Sequence, residues 1–293
     1  MSTIEELILS SDKRGMSTLA KYLPSNYCEQ AANLILQNPG TTIITTGFYI
    51  IKGKMPETDG PLGAIAIGNA LNAIGNKTIY ITDKYSSGLI KFLVKNNERV
   101  QVFPFLNQKE SIEYSKKILS HINPSLLISI ERCGQTKHND YRNMRGIDMT
   151  DFNARIDHLF ELHNNSIGIG DGGNEIGMGN LSNLIPSLPL PFPINEPCIT
   201  KTTNLIVSTV SNWGGYGLVA ALSILYGKNL LPNPKSEQNL LEKCVKYGAV
   251  DGVSTLNEYT VDGLNINEHN KVLIKLNNYV EKKILVEKNN VSN

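Results

Sequence analysis

The densest concentration of reactive side chains is the run Gly170-Asp171-Gly172-Gly173-Asn174-Glu175-Ile176-Gly177-Met178-Gly179. Glycines at this density let backbone N–H groups close on a ligand, while Asp171, Asn174 and Glu175 supply side-chain oxygens for a proton or a cation. The glycine spacing is not that of a dinucleotide-binding turn, and no Gly-Lys-Ser/Thr ending makes it a phosphate loop. A tight strand-to-helix turn held by Asx hydrogen bonds would use the same residues.

Four further strings carry chemistry. Glu57-Thr58-Asp59-Gly60-Pro61 places two carboxylates directly before a helix start. Ile130-Glu131-Arg132-Cys133-Gly134 pairs an acid with a guanidinium that is either a salt-bridge partner or a two-pronged clamp for a substrate carboxylate. The polar loop behind it holds Asp140, Tyr141, Arg142, Asn143 and Arg145, with Arg145 as a second clamp. Ser211-Asn212-Trp213-Gly214-Gly215-Tyr216 sets the one tryptophan beside a glycine pair, which suits a core position or a pocket wall made partly of backbone. Asp83 reads as a helix cap.

The hard oxygens of Glu57, Asp59, Glu131, Asp171 and Glu175 suit magnesium or manganese if they meet in space, with Asp59, Asp171 and Glu175 as the leading metal candidates. His121, His138, His158, His163 and His269 show no ligand spacing on a strand-end loop, which argues against a histidine-rich zinc site. His158 and His163 are expected to face solvent, leaving His138 as an acid or base.

These strings need a scaffold that brings strand ends together. Short β-branched runs at 41–46, 78–82, 99–103, 126–130, 167–169 and 205–209 alternate with helical patterns. That alternation predicts an α/β fold, a three-layer sandwich with a mostly parallel Rossmann-like sheet. Pro61 fits a first helical position, Ser86 or Ser87 a cap for 89–94, and Thr150 the cap of a helix burying Phe152, Ile156, Leu159 and Phe160. Residues 218–226 form an interior helix, Val261-Asp262-Gly263-Leu264 a hairpin turn, and Val272, Leu273, Leu276 and Val280 one face of a closing helix. The Pro-rich stretch 186–197 predicts an extended surface connection or lid. Residues 1–40 are expected to be a helical segment packed on a single domain spanning 41–293.

Composition narrows the function classes. The 293 residues carry 28 Lys and Arg against 27 Asp and Glu, so no global field holds the chain on nucleic acid or an anionic membrane. No apolar run reaches the roughly 18 residues of a membrane span, and Glu5 and Glu6 stand where a signal peptide would be basic. Four cysteines without CxxC spacing read as reduced thiols, and a cytoplasmic protein is expected. The expected partner is a small-molecule substrate, with self-association into a homo-oligomer left open.

Taken in order, the strings at 57–61, 130–132, 170–179, 210–216 and 261–264 resemble those of the C-terminal domain of the D-glutamate cyclase family. The resemblance covers about residue 40 to the end. It implies a carbon–oxygen lyase that closes D-glutamate to 5-oxo-D-proline with loss of water. Under that reading Asp171, Glu175, Glu131 and Arg132 are the catalytic candidates. Glu57, Asp59, Tyr141, Asn143, Arg145, Gly172, Gly173, Asn174, Asn212, Trp213, Gly214 and Gly215 are the substrate-binding ones. A metal-dependent hydrolase or transferase acting on a phosphorylated metabolite, and a non-catalytic metabolite-binding protein, are the competing expectations.

Overall fold

A computed structural model describes residues 2–94 and 99–291. Its centre is a six-stranded sheet of β1 (Thr41–Thr46), β4 (Lys77–Thr82), β5 (Val100–Val102), β6 (Leu126–Ile130), β7 (Ser166–Gly170) and β8 (Asn204–Val207), in the order β5-β4-β1-β6-β7-β8. Every pairing is parallel, as in Thr42↔Thr78 and Thr42↔Leu126 on the two sides of β1. Beyond β1 the chain first adds strands toward β5, then returns to add β6, β7 and β8 on the opposite side. The strand order therefore reverses between β1 and β6, and a crevice opens there at the carboxyl ends of the strands, where open α/β sheets bind ligands.

The period-two alternation of each strand sorts its side chains between two cores. Ile44, Tyr80, Leu126, Ile128 and Ile130 face one side with α4 (Pro61–Ala73) and α8 (Ser211–Tyr226). Residues from α1 (Ile4–Ile8), α2 (Met16–Ala20), α3 (Tyr27–Gln37), α5 (Ser87–Leu93), α9 (Pro234–Tyr247) and α10 (Ile266–Val291) join the same core. Ile43, Ile79, Ile81 and Leu127 face the other side with α6 (Gln108–Ile122) and α7 (His158–Glu161). The result is the three-layer sandwich expected from the sequence. Two hairpins complete it: β2 (Tyr49–Ile50) with β3 (Met55–Pro56), and β9 (Thr260–Val261) with β10 (Leu264–Asn265).

The expected helix behind Thr150 is much shorter than its apolar pattern suggests. Residues 150–152 form one 3-10 turn, and regular helix resumes only at α7. Asp157 explains the break: its carboxylate accepts from Gln135 N–H at 3.1 Å and from the Tyr141 hydroxyl, which anchors the segment to the loop behind β6. His158 is buried against Glu161 rather than exposed, and both ring nitrogens of His163 lie 3.0 Å from backbone carbonyls.

Candidate active site

Two helix starts frame the crevice, and each is capped by the other's loop. Asp59, just ahead of α4, accepts from the backbone N–H groups of Ser211 and Asn212 at the start of α8, both at 2.8 Å. Asn212 in return accepts from Gly60 N–H at 3.0 Å and Gly63 N–H at 2.7 Å at the start of α4. Four N–H groups that a helix start leaves orphaned are satisfied in this way. Asp59 and Asn212 are thereby committed as caps behind the cleft wall, and Pro61 takes the first-turn position its φ suits.

The glycine-rich run leaves β7 and folds back on it. A Cβ at Gly170 would meet the Glu175 carboxyl carbon at 2.8 Å, and one at Gly172 would meet Glu175 Oε1 at the same distance. The glycines thus make room for the Glu175 carboxylate rather than for a phosphate. The run is tied across the end of β6, where Gly134 N–H donates to Asn174 O and Ile176 N–H to Arg132 O, both at 2.9 Å. Glu131, the first residue past β6, sits at φ 45°, a left-handed conformation that disfavours a side chain of its size. Its carboxylate accepts from the Ser211 hydroxyl at 2.6 Å.

A cleft of about 330 Å³ opens at this point, with Glu57, Glu131, Asp171, Glu175 and Asp262 on its floor and Arg14 among them. Arg14 reaches in from the turn between α1 and α2, pairing with Asp171 at 2.6 Å and Asp262 at 2.9 Å. The turn is fixed by Asp12, whose carboxylate accepts from the N–H groups of Arg14, Gly15 and Ser17. Gly15, at φ 89°, packs against Leu190 and Pro191 of the Pro-rich connection so closely that a Cβ would lie within 3 Å of either. The turn at residues 12–17 therefore reaches into the site.

One guanidinium cannot offset five carboxylates, four of them buried. Burial pushes Asp171 well above the usual carboxylate range despite Arg14, and Asp262, Asp59 and Glu175 push it further. Burial and then Asp171 raise Glu131, and burial and then Asp262 raise Glu57. Burial and Asp262 carry Asp59 up to about 7 against its three backbone donors. Glu175 is also raised, chiefly by burial. Arg14, although burial opposes its charge, is held protonated by Asp171 and Asp262. Asp171 Oδ2, Glu175 Oε2 and Glu57 Oε1 are buried without a hydrogen-bond partner. Buried carboxylate oxygens left open in this way await a proton, a cation or a substrate N–H.

Two groupings bring three carboxylates within 4.8 Å of one another, Glu131/Asp171/Glu175 and Asp59/Asp171/Asp262. The first has the open oxygens; in the second, Asp59 is spent on capping and Asp262 on Arg14. A hard divalent cation fits the donor chemistry of the first set.

Of the residues singled out from the sequence, Glu57, Glu131, Asn143, Arg145, Asp171, Gly172, Asn174 and Glu175 line the cleft. Gly173, at φ 84°, turns beside Ile194. Arg132 does not serve as a clamp. Its buried guanidinium pairs with Asp83 at 2.6 Å and donates to Gly47 O and Ala154 O, which fixes the loops behind β1 and β6. Tyr141 is buried on Asp157. Trp213 lies in the core with its indole N–H on His269, and the glycines after it serve helix packing: a Cβ at Gly215 would meet Gly63 Cα at 3.0 Å, and one at Gly214 the Ile169 side chain. His138 stands at the surface, paired with Glu196.

Sequence reasoning missed Arg14 and treated Asp262 as turn chemistry alone. The hairpin turn exists, with Asp262 and Gly263 at φ 53° and 74°, but Asp262 also faces Arg14. Its place in an ordered string was the available signal. Arg14 had only Arg-Gly behind a capping Asp12, which many surface turns share.

No helix among the described residues is long and apolar enough to cross a membrane. The family model described as D-glutamate cyclase-like, C-terminal, matches residues 4–277. Human mitochondrial D-glutamate cyclase is 29% identical over 287 residues, an alignment that covers 84% of this chain and 46% of that enzyme. The chain thus spans about half the length of the relative it matches, and the family match at residues 4–277 includes the turn that delivers Arg14. The chain belongs to the D-glutamate cyclase-like, C-terminal family.

Proposed function

We propose that the protein closes D-glutamate to 5-oxo-D-proline with loss of water. The observation that carries this reading is the polarity of the cleft: open, buried carboxylate oxygens of Asp171 and Glu175 at its floor, and the guanidinium groups of Arg14 and Arg145 beside them. An amino acid with two carboxylates and one ammonium fits that order. Its ammonium belongs among Glu131, Asp171 and Glu175, whose affinity for a proton burial raises above that of an ordinary carboxylate. Arg145, exposed at the mouth, meets a substrate carboxylate.

The reaction forms a bond from the α-nitrogen to the carbon of the γ-carboxyl group and breaks one carbon–oxygen bond of that carboxyl. Protons taken from the nitrogen leave with that oxygen as water. A carboxyl that has accepted the first proton is placed to return it to the departing oxygen. Folding the substrate so that its ends meet supplies much of the acceleration, because the reacting groups are already in one molecule. A magnesium or manganese ion held by Glu131, Asp171 and Glu175 would add Lewis acidity at the γ-carboxyl. A reducing compartment such as the cytoplasm suits the four free, buried cysteines.

Proton NMR of the protein with D-glutamate, with and without each cation, tests the reading, with L-glutamate and Asp171→Asn as controls. We expect 5-oxoproline from the D isomer and its loss in the variant. Absence of product under every condition would overturn it.

A further inference from the structure

The cleft continues past Arg14. A second compartment of about 310 Å³ shares Arg14, Met144, Arg145, Val253 and Asp262 with the first and adds walls from Lys13, Phe192, Thr209, Val210 and Leu264. Polarity reverses along this path. The inner floor is a cluster of carboxylates, whereas the outer compartment has three cations, Lys13, Arg14 and Arg145, against one carboxylate, Asp262, which Arg14 already meets. Its apolar walls are uncovered, Phe192 being 53% and Val253 48% exposed. The hydroxyl oxygen of Thr209 is buried there without a hydrogen-bond partner. Each compartment alone is as large as the smaller sites that hold drug-like ligands. A free amino acid in the inner one, even with a carboxylate on Arg145, leaves Lys13 and the apolar surface to water.

We propose that the outer compartment is a second subsite that takes an anionic group on a short apolar stem, linked to the reacting amino acid through one of its carboxyl groups. The substrate class is then D-glutamyl derivatives of the acidic-dipeptide kind, with the α-amine free and seated among the inner carboxylates. This rests on the cyclase reading of the inner cleft. With a γ-linked stem, the α-nitrogen bonds to the γ-carbonyl carbon, the amide carbon–nitrogen bond at that carbon breaks, and the proton lost by the attacking amine ends on the departing one. The products are 5-oxo-D-proline and a free amine. With an α-linked stem, ring closure expels water as it does from the free amino acid, and the stem stays on the product. Neither route needs another reactant.

Isothermal titration calorimetry on the full chain, with NMR of the same solutions for turnover, tests the subsite. The ligands are D-glutamate, γ-D-glutamyl-leucine, α-D-glutamyl-leucine and the two matching leucinamides. One linkage is expected to bind at least tenfold more tightly than D-glutamate, and its leucinamide to lose most of that gain. Lys13→Ala and Phe192→Ala should each shrink the ratio of the two affinities toward one. Equal affinity of all ligands, or a ratio that survives both substitutions, overturns the subsite. Turnover of D-glutamate with no gain from any stem leaves the cyclase reading standing and removes the subsite. Stem-dependent binding with no 5-oxoproline or 5-oxoprolyl product from any ligand does the reverse.

Discussion

Two buried polar regions flank the start of α8, and they resolve the same physical problem in opposite ways. On the α9 and α10 side, the Trp213 indole N–H donates to His269 Nδ1 at 3.1 Å, which leaves Nε2 to carry the imidazole proton. Nε2 faces the Tyr216 hydroxyl at 3.2 Å, and that hydroxyl donates to Glu237. The chain of donors and acceptors is closed, on regular helical backbone. On the cleft side, carboxylates crowd one another, Asp171 Oδ2 and Glu175 Oε2 have no partner, and Glu131 and Asp262 sit at positive φ. Both regions lost the hydration of their polar groups on folding. The first recovers it internally and rigidifies the helices. The second leaves the deficit open, which is what a site for a ligand requires.

The sharpest way to test that contrast is to alter one group in each region and read activity and stability separately. Asp171→Asn keeps the shape and an acceptor for Arg14 but removes the charge. We expect kcat/KM to fall by roughly 10³-fold or more, about 4 kcal/mol of transition-state stabilisation, with little change in Tm. Arg14→Ala strips the counter-charge from Asp171 and Asp262, and breaking such a pair should lower unfolding free energy by about 3 kcal/mol. Titration with manganese should then raise the Tm of the variant more than that of the unaltered protein, since the cation replaces the missing guanidinium. An equal rise in both would show that the cation does not take that place.

Glu237 tests the closed region through pH. Burial raises its carboxyl from the ordinary 4.5 to about 7. The folded state therefore binds its proton more tightly than the unfolded state, so this group favours folding at low pH, and that contribution is lost as pH rises from about 4.5 to 7. Glu237→Gln removes the loss. Relative to the unaltered protein, the variant should gain about 2 kcal/mol in unfolding free energy between pH 5 and 6.5, at about 1.4 kcal/mol per pH unit. Denaturant unfolding at the two pH values measures it, and turnover at fixed pH should change far less than in Asp171→Asn.

The contrast also explains what could be read from the sequence. The strands of the sheet announced themselves because β-branched runs between helical patterns have few other uses, and the site acids followed from the loops after those strands. Arg132 and Trp213 were ambiguous for a physical reason. An arginine after a strand can point into the crevice or back into the loops, and only the location of Asp83 decides. A tryptophan beside glycines suits a pocket wall or close helix packing, and here Gly63 lies opposite. Arg14 had no local pattern at all, because its role arises from a turn meeting loops 157 and 248 residues further along the chain.

Asn212 carries the smallest expected effect and the most discriminating one, because it sits at the boundary of the two regions. Its side chain caps α4 through Gly60 and Gly63, while the next residue, Trp213, begins the closed network. Asn212→Ala removes a double cap and should lower stability by about 1–2 kcal/mol. The first turn of α4 lies directly behind the loop that carries Glu57, so activity should fall, but by less than tenfold, through loosened positioning and mainly in KM. A loss as large as that of Asp171→Asn would mean that Asn212 faces the substrate, and the division between a closed structural region and an open reactive one would have to be redrawn through the start of α8.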